Sequence, residues 1–192
     1  MKKSLIVTLL LAGCSTYGPE SETAQPGQVE ESREVAKALV TQLGGKLKAE
    51  LSANGPESAV SVCKEAAPQI AASLSRQSGW KVGRVGTRVR NARTGTPDAW
   101  ETKALATFSA RMQQGEKPDS MELAEVVTEP SGKYLRYAKA IALQPMCLTC
   151  HGPLDSIPQG VRARLQADYP LDQATGYTVG ELRGAVVVKR PL

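Results

Sequence analysis

The sequence predicts one α+β domain in which helices come first and a small, largely antiparallel sheet follows. Apolar residues recur at helical spacing over Glu30–Leu51 and again over Glu57–Arg76. Beyond residue 80 they instead alternate with polar residues or form short β-branched runs, which turn residues separate. Helices that precede the strands, rather than alternating with them, favour the α+β class over a parallel α/β sheet.

Turn and breaker residues bound the predicted elements. Asn54-Gly55-Pro56 ends the first helix, and Pro68 predicts a kink or restart within the second. Gly79 closes that second helix. Strands are predicted at 80–85, 123–128, 133–143 and 184–189, and further helices at 98–114 and 159–168.

The amino terminus resembles the signal of a bacterial lipoprotein. Two lysines precede an apolar run at 5–12, which is too short to span a hydrocarbon core of about 30 Å. The run ends in Leu11-Ala12-Gly13-Cys14, which is similar to the lipobox where lipoproteins are cleaved and acylated. We expect a signal peptide at 1–13, lipid on Cys14, a flexible tether at 14–29 and one domain at 30–192. The alternative is an ordinary secretory signal in which Cys14 is incidental.

The charge balance gives little support for nucleic-acid binding. The chain carries +5, and loss of Lys2 and Lys3 with the signal peptide leaves 22 basic and 19 acidic residues, or +3. We expect a lipid-anchored protein on the periplasmic side of a bacterial membrane, and Ser15 favours the outer membrane by analogy. The expected partners are the lipid bilayer and an unidentified redox or signalling protein, with no nucleic acid.

A short motif near residue 150 contains the only histidine of the chain. Cys147-Leu148-Thr149-Cys150-His151 matches the attachment pattern of c-type haem. Two thiols at this spacing reach the two vinyl groups of one porphyrin, and the adjacent histidine supplies an axial nitrogen. A dithiol redox motif usually opens a helix in a βαβ unit. A zinc site would need a second Cys or His pair, and with only Cys63 remaining, at most four ligands could be gathered, at irregular spacing. The sequence therefore predicts one covalent haem c.

The residues alone do not identify the second axial ligand of the iron. Cys63 lies on the apolar face of the second helix, where a free cysteine is as readily a small buried hydrophobe. Met112, Met121, a lysine, water or an empty position are the alternatives, whereas Met146 is too close to Cys147.

Three arginines near the predicted first strand suit the acidic groups of a haem. Arg84, Arg88 and Arg90 would pair with the propionates, since guanidinium binds carboxylate bidentately. A solvated basic strand edge would give the same pattern.

Several longer segments occur together in an order that resembles a known family. They are Val62-Cys63-Lys64-Glu65-Ala66-Ala67-Pro68, Trp80-Lys81-Val82-Gly83-Arg84, Arg88-Val89-Arg90-Asn91, Pro97-Asp98-Ala99-Trp100-Glu101, Cys147–Gly152 and Tyr169–Tyr177. The family consists of small exported haem c proteins with a PAS-like fold and no assigned role, and the similarity covers about residues 30–190. In that family a helical cysteine and the motif histidine hold the iron, which implies Cys63 and His151 here. The chain departs from the family at Thr94 or Gly95, where asparagine is frequent.

A cysteine thiolate would lower the potential of the iron, and reduction would weaken that bond and open the iron to a diatomic gas. The first hypothesis is therefore a redox or gas sensor module. A small electron carrier, six-coordinate in both oxidation states, is the alternative. A peroxidase-like enzyme would need a general base, for which Glu65 is the nearest candidate in sequence, and we do not expect an enzyme.

Overall fold

The structure is a computed structural model that describes residues 23–192. The predicted signal peptide, Cys14 and most of the predicted tether lie outside these residues. The first helix begins at Pro26, inside the segment predicted as tether, because proline is well tolerated in the first turn of a helix. Among the described helices, none is long and apolar enough to cross a membrane.

Residues 23–192 contain five α-helices. Their bounds are α1 Pro26–Ser61, α2 Ala67–Ser78, α3 Ala99–Gln113, α4 Leu148–His151 and α5 Gln159–Asp168. The glycine pair in the middle of α1 does not interrupt the helix, but Gly55 does. Gly55 has φ 80°, a conformation that favours glycine, and Pro56 follows it, so α1 kinks where the sequence predicts a helix end.

A π-helical turn at Val62–Ala66 joins α1 to α2. In this turn the Ala67 N–H donates to the carbonyl of Val62, five residues earlier. Pro68 has no N–H to continue a regular ladder, and it lies in the first turn of α2. The irregularity predicted at Pro68 is thus the start of a new helix, α2. Cys63 lies just before it, in the π turn.

Within the described part of the chain the sheet has four antiparallel strands, which confirms the α+β prediction. They are β1 Lys81–Gly86, β2 Glu122–Glu129, β3 Gly132–Ala142 and β4 Leu182–Pro191. Their order is β1-β4-β3-β2, so the last strand of the chain lies between the first and the third. A central antiparallel sheet with helices on its faces is the arrangement expected of a PAS-like domain.

Each face of the sheet packs against different helices. Val82, Val186 and Val188 pack with Leu39 of α1 and Leu74 of α2 in one cluster. The opposite face packs against α3 and includes Val85, Ala185, Val187, Leu105 and Phe108. Side chains therefore alternate along β1 and β4 between a face toward α1 and α2 and a face toward α3.

A β-bulge interrupts this alternation at the start of β4. Ile141 pairs with Gly184, but the next residue, Ala142, pairs with Leu182, which leaves Arg183 as the extra residue. Gly184 has φ 157°, and a Cβ there would lie 2.0 Å from the carbonyl oxygen of Val85. The bulge therefore requires glycine at this position.

A partly exposed ion pair connects α1 to the sheet. Arg33 donates from Nε and Nη2 to the two carboxylate oxygens of Glu122, at 2.9 and 2.6 Å. The Tyr137 hydroxyl donates to the same carboxylate at 2.8 Å. The Arg33 hydrogen bonds, with help from Tyr137, lower the pKa of Glu122 to about 2.

The Arg33–Glu122 pair predicts a specific acid sensitivity. The depressed pKa of Glu122 means that its contribution is complete above its unfolded pKa, about 4.3, and is lost as the pH falls through about 2. We expect Glu122→Gln to lower the urea midpoint at pH 7 and to flatten its dependence on pH between about 4.5 and 2. Glu34→Gln is the control, because Glu34 is exposed and has only a 3.9 Å contact with Lys37. Equal pH profiles for the two variants would contradict the assignment.

Candidate functional site

A cavity of about 590 Å³ lies between the helical layer and the sheet. This volume falls within the range of about 300–1,000 Å³ that is usual for cofactor and ligand sites. Its apolar lining comes from α1, α2 and the end of β3 and includes Leu43, Leu47, Val60, Ala67, Ile141 and Leu143. The polar lining includes Cys63, Arg84, Arg90, Cys147, Cys150, His151 and Arg183. All four residues of the predicted haem attachment and ligation thus face one space.

The Cys147–His151 motif forms a compact helical segment directly after β3. A 3₁₀ turn at Pro145–Cys147 leads into α4, and Gly152 ends it. A Cβ on Gly152 would lie 2.7 Å from the Leu148 carbonyl oxygen, so the tight exit from α4 needs glycine. Both cysteines are free thiols, and burial raises their pKa, that of Cys150 to about 11.

The His151 ring is fixed by a backbone carbonyl. Its Nδ1 lies 2.6 Å from the oxygen of Ala174, and because a carbonyl only accepts, Nδ1 carries the proton. Nε2 is then left with a free lone pair, which is the state that a metal-ligating histidine needs. Burial, with the charges of Arg90 and Arg183, lowers the pKa of His151 to about 2, so the ring is neutral.

The segment at 172–177 holds the motif in place. Tyr177 N–H donates to the His151 carbonyl at 2.9 Å, and the Tyr177 ring meets the imidazole edge to face at 6.2 Å. Arg90 donates to Asp172, to the Cys150 carbonyl at 2.5 Å and to the Ala174 carbonyl at 3.1 Å. Arg90 therefore ties α4 to the carbonyl that orients His151.

Cys63 reaches the cavity from the π turn. It is close enough to Cys147 and Cys150 to act on the pKa of both thiols. The competing methionine ligands lie elsewhere: Met121 is buried in the cluster beneath α3, and Met112 packs against that cluster. Glu65, the candidate general base, lines a separate groove between α1 and the π turn.

The donors surround a space that suits a macrocycle better than a single ion. Within residues 23–192, no three His, Cys, Asp or Glu side chains are grouped to hold one metal ion, which disfavours the zinc alternative. The described sheet is antiparallel throughout, so the dithiol motif lacks the βαβ setting in which it usually occurs. Two thiols, a neutral imidazole and apolar walls around one cavity fit a haem.

The three predicted arginines occupy different places. Arg84 lines the cavity, whereas Arg88 lies outside its lining, above the Tyr177 ring at 3.6 Å, and pairs with Glu181. Arg88 is therefore not placed to contact a group in the cavity. Arg90 lines the cavity, but its charge is paired with Asp172. Arg183, which the sequence analysis missed, lines the cavity beside Arg84; the isolated glycine after it was the available signal of a bulge.

Comparisons with known proteins find a family model and a solved structure that are similar to this chain. The family model described as Tll0287-like matches residues 20–191. The crystal structure of the cyanobacterial heme-protein Tll0287 is similar, with a TM-score of 0.66 and 25% sequence identity over 88% of this chain and 97% of that chain. No curated protein matches.

Proposed function

This chain belongs to the Tll0287-like family of haem proteins, and from that premise we propose that it binds one haem covalently, through thioethers to Cys147 and Cys150. The observation that carries the proposal is the convergence of both thiols, His151 and Cys63 on one largely apolar cavity. The test is to mature the protein in an oxidising compartment that has a haem-ligation system, and to denature it. Haem that stays with the denatured chain supports covalent attachment, and haem that is extracted into acid acetone contradicts it.

His151 and Cys63 are the proposed axial ligands. Nε2 of His151 is aimed by the hydrogen bond from Nδ1 to Ala174, and Cys63 comes from a different element on the helical side of the cavity. A haem bound there supplies a one-electron centre and, when an axial position opens, a site for a diatomic gas. Cys63 would hold ferric iron more firmly than ferrous iron, because a cysteine sulfur favours the ferric state.

The proposed role is that of a redox or diatomic-gas sensor module, without catalytic turnover. Support comes from the position of Cys63 in a π turn, since π turns inside helices are frequent at functional sites. Release of Cys63 would allow the π turn to rearrange against α1 and α2 and so carry the haem state to a partner protein. An electron carrier is the alternative, and it requires that Cys63 stay bound in both oxidation states.

Spectra of the loaded protein distinguish these roles and test the ligand. We expect Cys63→Ala to convert the ferric spectrum from low-spin to high-spin, because one axial position loses its donor. Met112→Leu is the control and should leave the spectrum unchanged. An unchanged spectrum for Cys63→Ala would remove Cys63 as a ligand. With the wild-type protein reduced by dithionite, CO binding supports the sensor, and an unaltered six-coordinate spectrum supports the carrier.

We also propose that Cys14 is lipidated and anchors the domain on the periplasmic side of the outer membrane. The support is the Leu11-Ala12-Gly13-Cys14 sequence. Cys14→Ala should move the protein from the membrane fraction to the soluble periplasmic fraction. Equal distributions of the two proteins would leave an ordinary secretory signal as the better account.

A further inference from the structure

Two partly buried guanidinium groups on the cavity wall have no ion-pair partner among residues 23–192, whereas the third unpaired guanidinium of the lining, Arg93, is exposed. Arg84, on β1, makes neither a hydrogen bond nor an ion pair there, although it is partly buried. Arg183 donates to the Arg88 carbonyl at 3.1 Å, and no described carboxylate pairs with it. Burial lowers the pKa of both groups, and the charge of Arg84 acts on Arg183. Two neighbouring, partly buried cations lower the stability of the fold unless an anion neutralises them.

The bulge in β4 is what brings Arg183 to Arg84. In an uninterrupted strand Arg183 would share the α3 side with Ala185 and Val187, and Leu182 would face the other way. Leu182 instead packs in the α3-side cluster with these two residues, so the alternation is reversed at the bulge. Arg183 is thereby turned toward the side of Arg84, which pairs with Val186 of the opposite cluster.

Arg84 and Arg183 are the partly buried cations of the cavity lining that no carboxylate neutralises. Arg90 is also buried, but Asp172 pairs with it at 2.9 Å. The remaining cations of the lining are the exposed Lys81 and Arg93, and Lys189, which pairs with Glu129. His151 is neutral, and the cavity lining offers no free carboxylate beside Arg84 and Arg183, because Glu101 is bound to the capping box of α3. A ligand with two carboxylates would complete this wall.

We propose that Arg84 and Arg183 bind the two propionate groups of the haem, and that the bulge at Arg183-Gly184 exists to supply the second of these cations. The inference rests on the proposed haem site. Guanidinium and carboxylate groups form charge-assisted, often bidentate hydrogen bonds. Such hydrogen bonds are stronger than those between two neutral groups. Arg88 has no part in the pair, since it stacks on the outer side of Tyr177 and is matched to Glu181.

Reversible binding of a porphyrin that cannot form thioethers tests the pair directly. Mesohaem has ethyl groups in place of the vinyls, and its dimethyl ester also lacks the two charges. We expect the full-length chain, prepared without attached haem, to bind mesohaem at least about tenfold more tightly than the ester. Arg84→Gln and Arg183→Gln should each reduce this preference, Arg183→Lys should keep part of it, and Arg88→Gln should leave it intact.

The outcomes separate this inference from the haem proposal. If the wild-type chain binds neither porphyrin, the haem site itself fails. Equal affinity for mesohaem and its ester in the wild type would overturn the arginine pair while leaving the haem site standing, and this comparison does not depend on any variant folding. The arginine pair would also be overturned if Arg88→Gln lowered the preference for mesohaem over its ester as much as Arg183→Gln does.

Discussion

Replacing Cys147 and Cys150 together by serine is expected to remove all covalently attached haem. Each thiol supplies one thioether, so neither bond can form in the double variant, whereas His151 keeps its place against Ala174. The measurement is haem staining of the denatured chain after electrophoresis, beside the pyridine haemochrome spectrum. Each single variant should retain one thioether, and its ferrous absorption should move to longer wavelength because one vinyl group stays conjugated with the ring.

Cys63→Ala is the matched control for this experiment. Cys63 lines the same cavity but stands outside the Cys-x-x-Cys-His motif, so its removal should leave the covalent haem content unchanged. Haem that resists denaturation in the double serine variant would contradict attachment at this motif. Loss of haem from Cys63→Ala to the same extent would show that the cavity, and not the thioethers, retains the group.

Replacing Arg136 by methionine is expected to lower the free energy of unfolding by about 3–5 kcal/mol. Arg136 is only 3% exposed and donates to Glu129 at 2.8 Å and to Asp98 at 2.6 Å, while Glu101 lies 3.4 Å away. Without this cation, Glu101 is left buried with no positive partner at hydrogen-bond distance. Urea unfolding at pH 7 measures the loss. Arg164→Met is the control. It should lower the free energy of unfolding by much less, because its partner Asp168 keeps its contact with Lys64.

The Arg136→Met deficit should shrink as the pH falls. Burial raises the pKa of Glu101 above its usual value, and a raised carboxyl pKa means that the folded state takes up this proton at a higher pH than the unfolded chain does. Acidification through that folded pKa therefore stabilises the variant relative to its state at pH 7. A deficit that stays constant between pH 7 and pH 4 would show that lost packing, rather than an unpaired carboxylate, causes the instability.

The prediction of a haem site at Cys147–His151 rests on contiguous signals in the sequence. Cys147, Cys150 and His151 lie within five positions, so their chemistry is visible without a fold, and the family resemblance built around them is confirmed by the family match. The helix boundary at Gly55 and the cap at Gly79 were predictable for the same reason, since one residue determines each backbone conformation.

The parts of the site that depend on tertiary structure could not be predicted from residue patterns alone, and only the family resemblance implied Cys63. Cys63 on an apolar helix face is equally a core residue until the fold places it in the cavity. Arg183 was missed because the predicted strand began at Gly184, and only the pairing with β3 shows that a bulge reverses the side chain. Arg88 and Arg90 share a polar loop with no periodicity, and only their contacts with Glu181 and Asp172 separate their roles.

The central place of β4 determines the order in which this protein assembles. Lys81 on β1 pairs with Lys189 on β4, so β1 can join the sheet only when the last strand is present. Pairings between residues so far apart in sequence form slowly. The thiols of Cys147 and Cys150 emerge from synthesis before Ala174 and Tyr177, which fix His151, and before β4. The sheet that forms one wall of the cavity is therefore complete only when β4 has joined it.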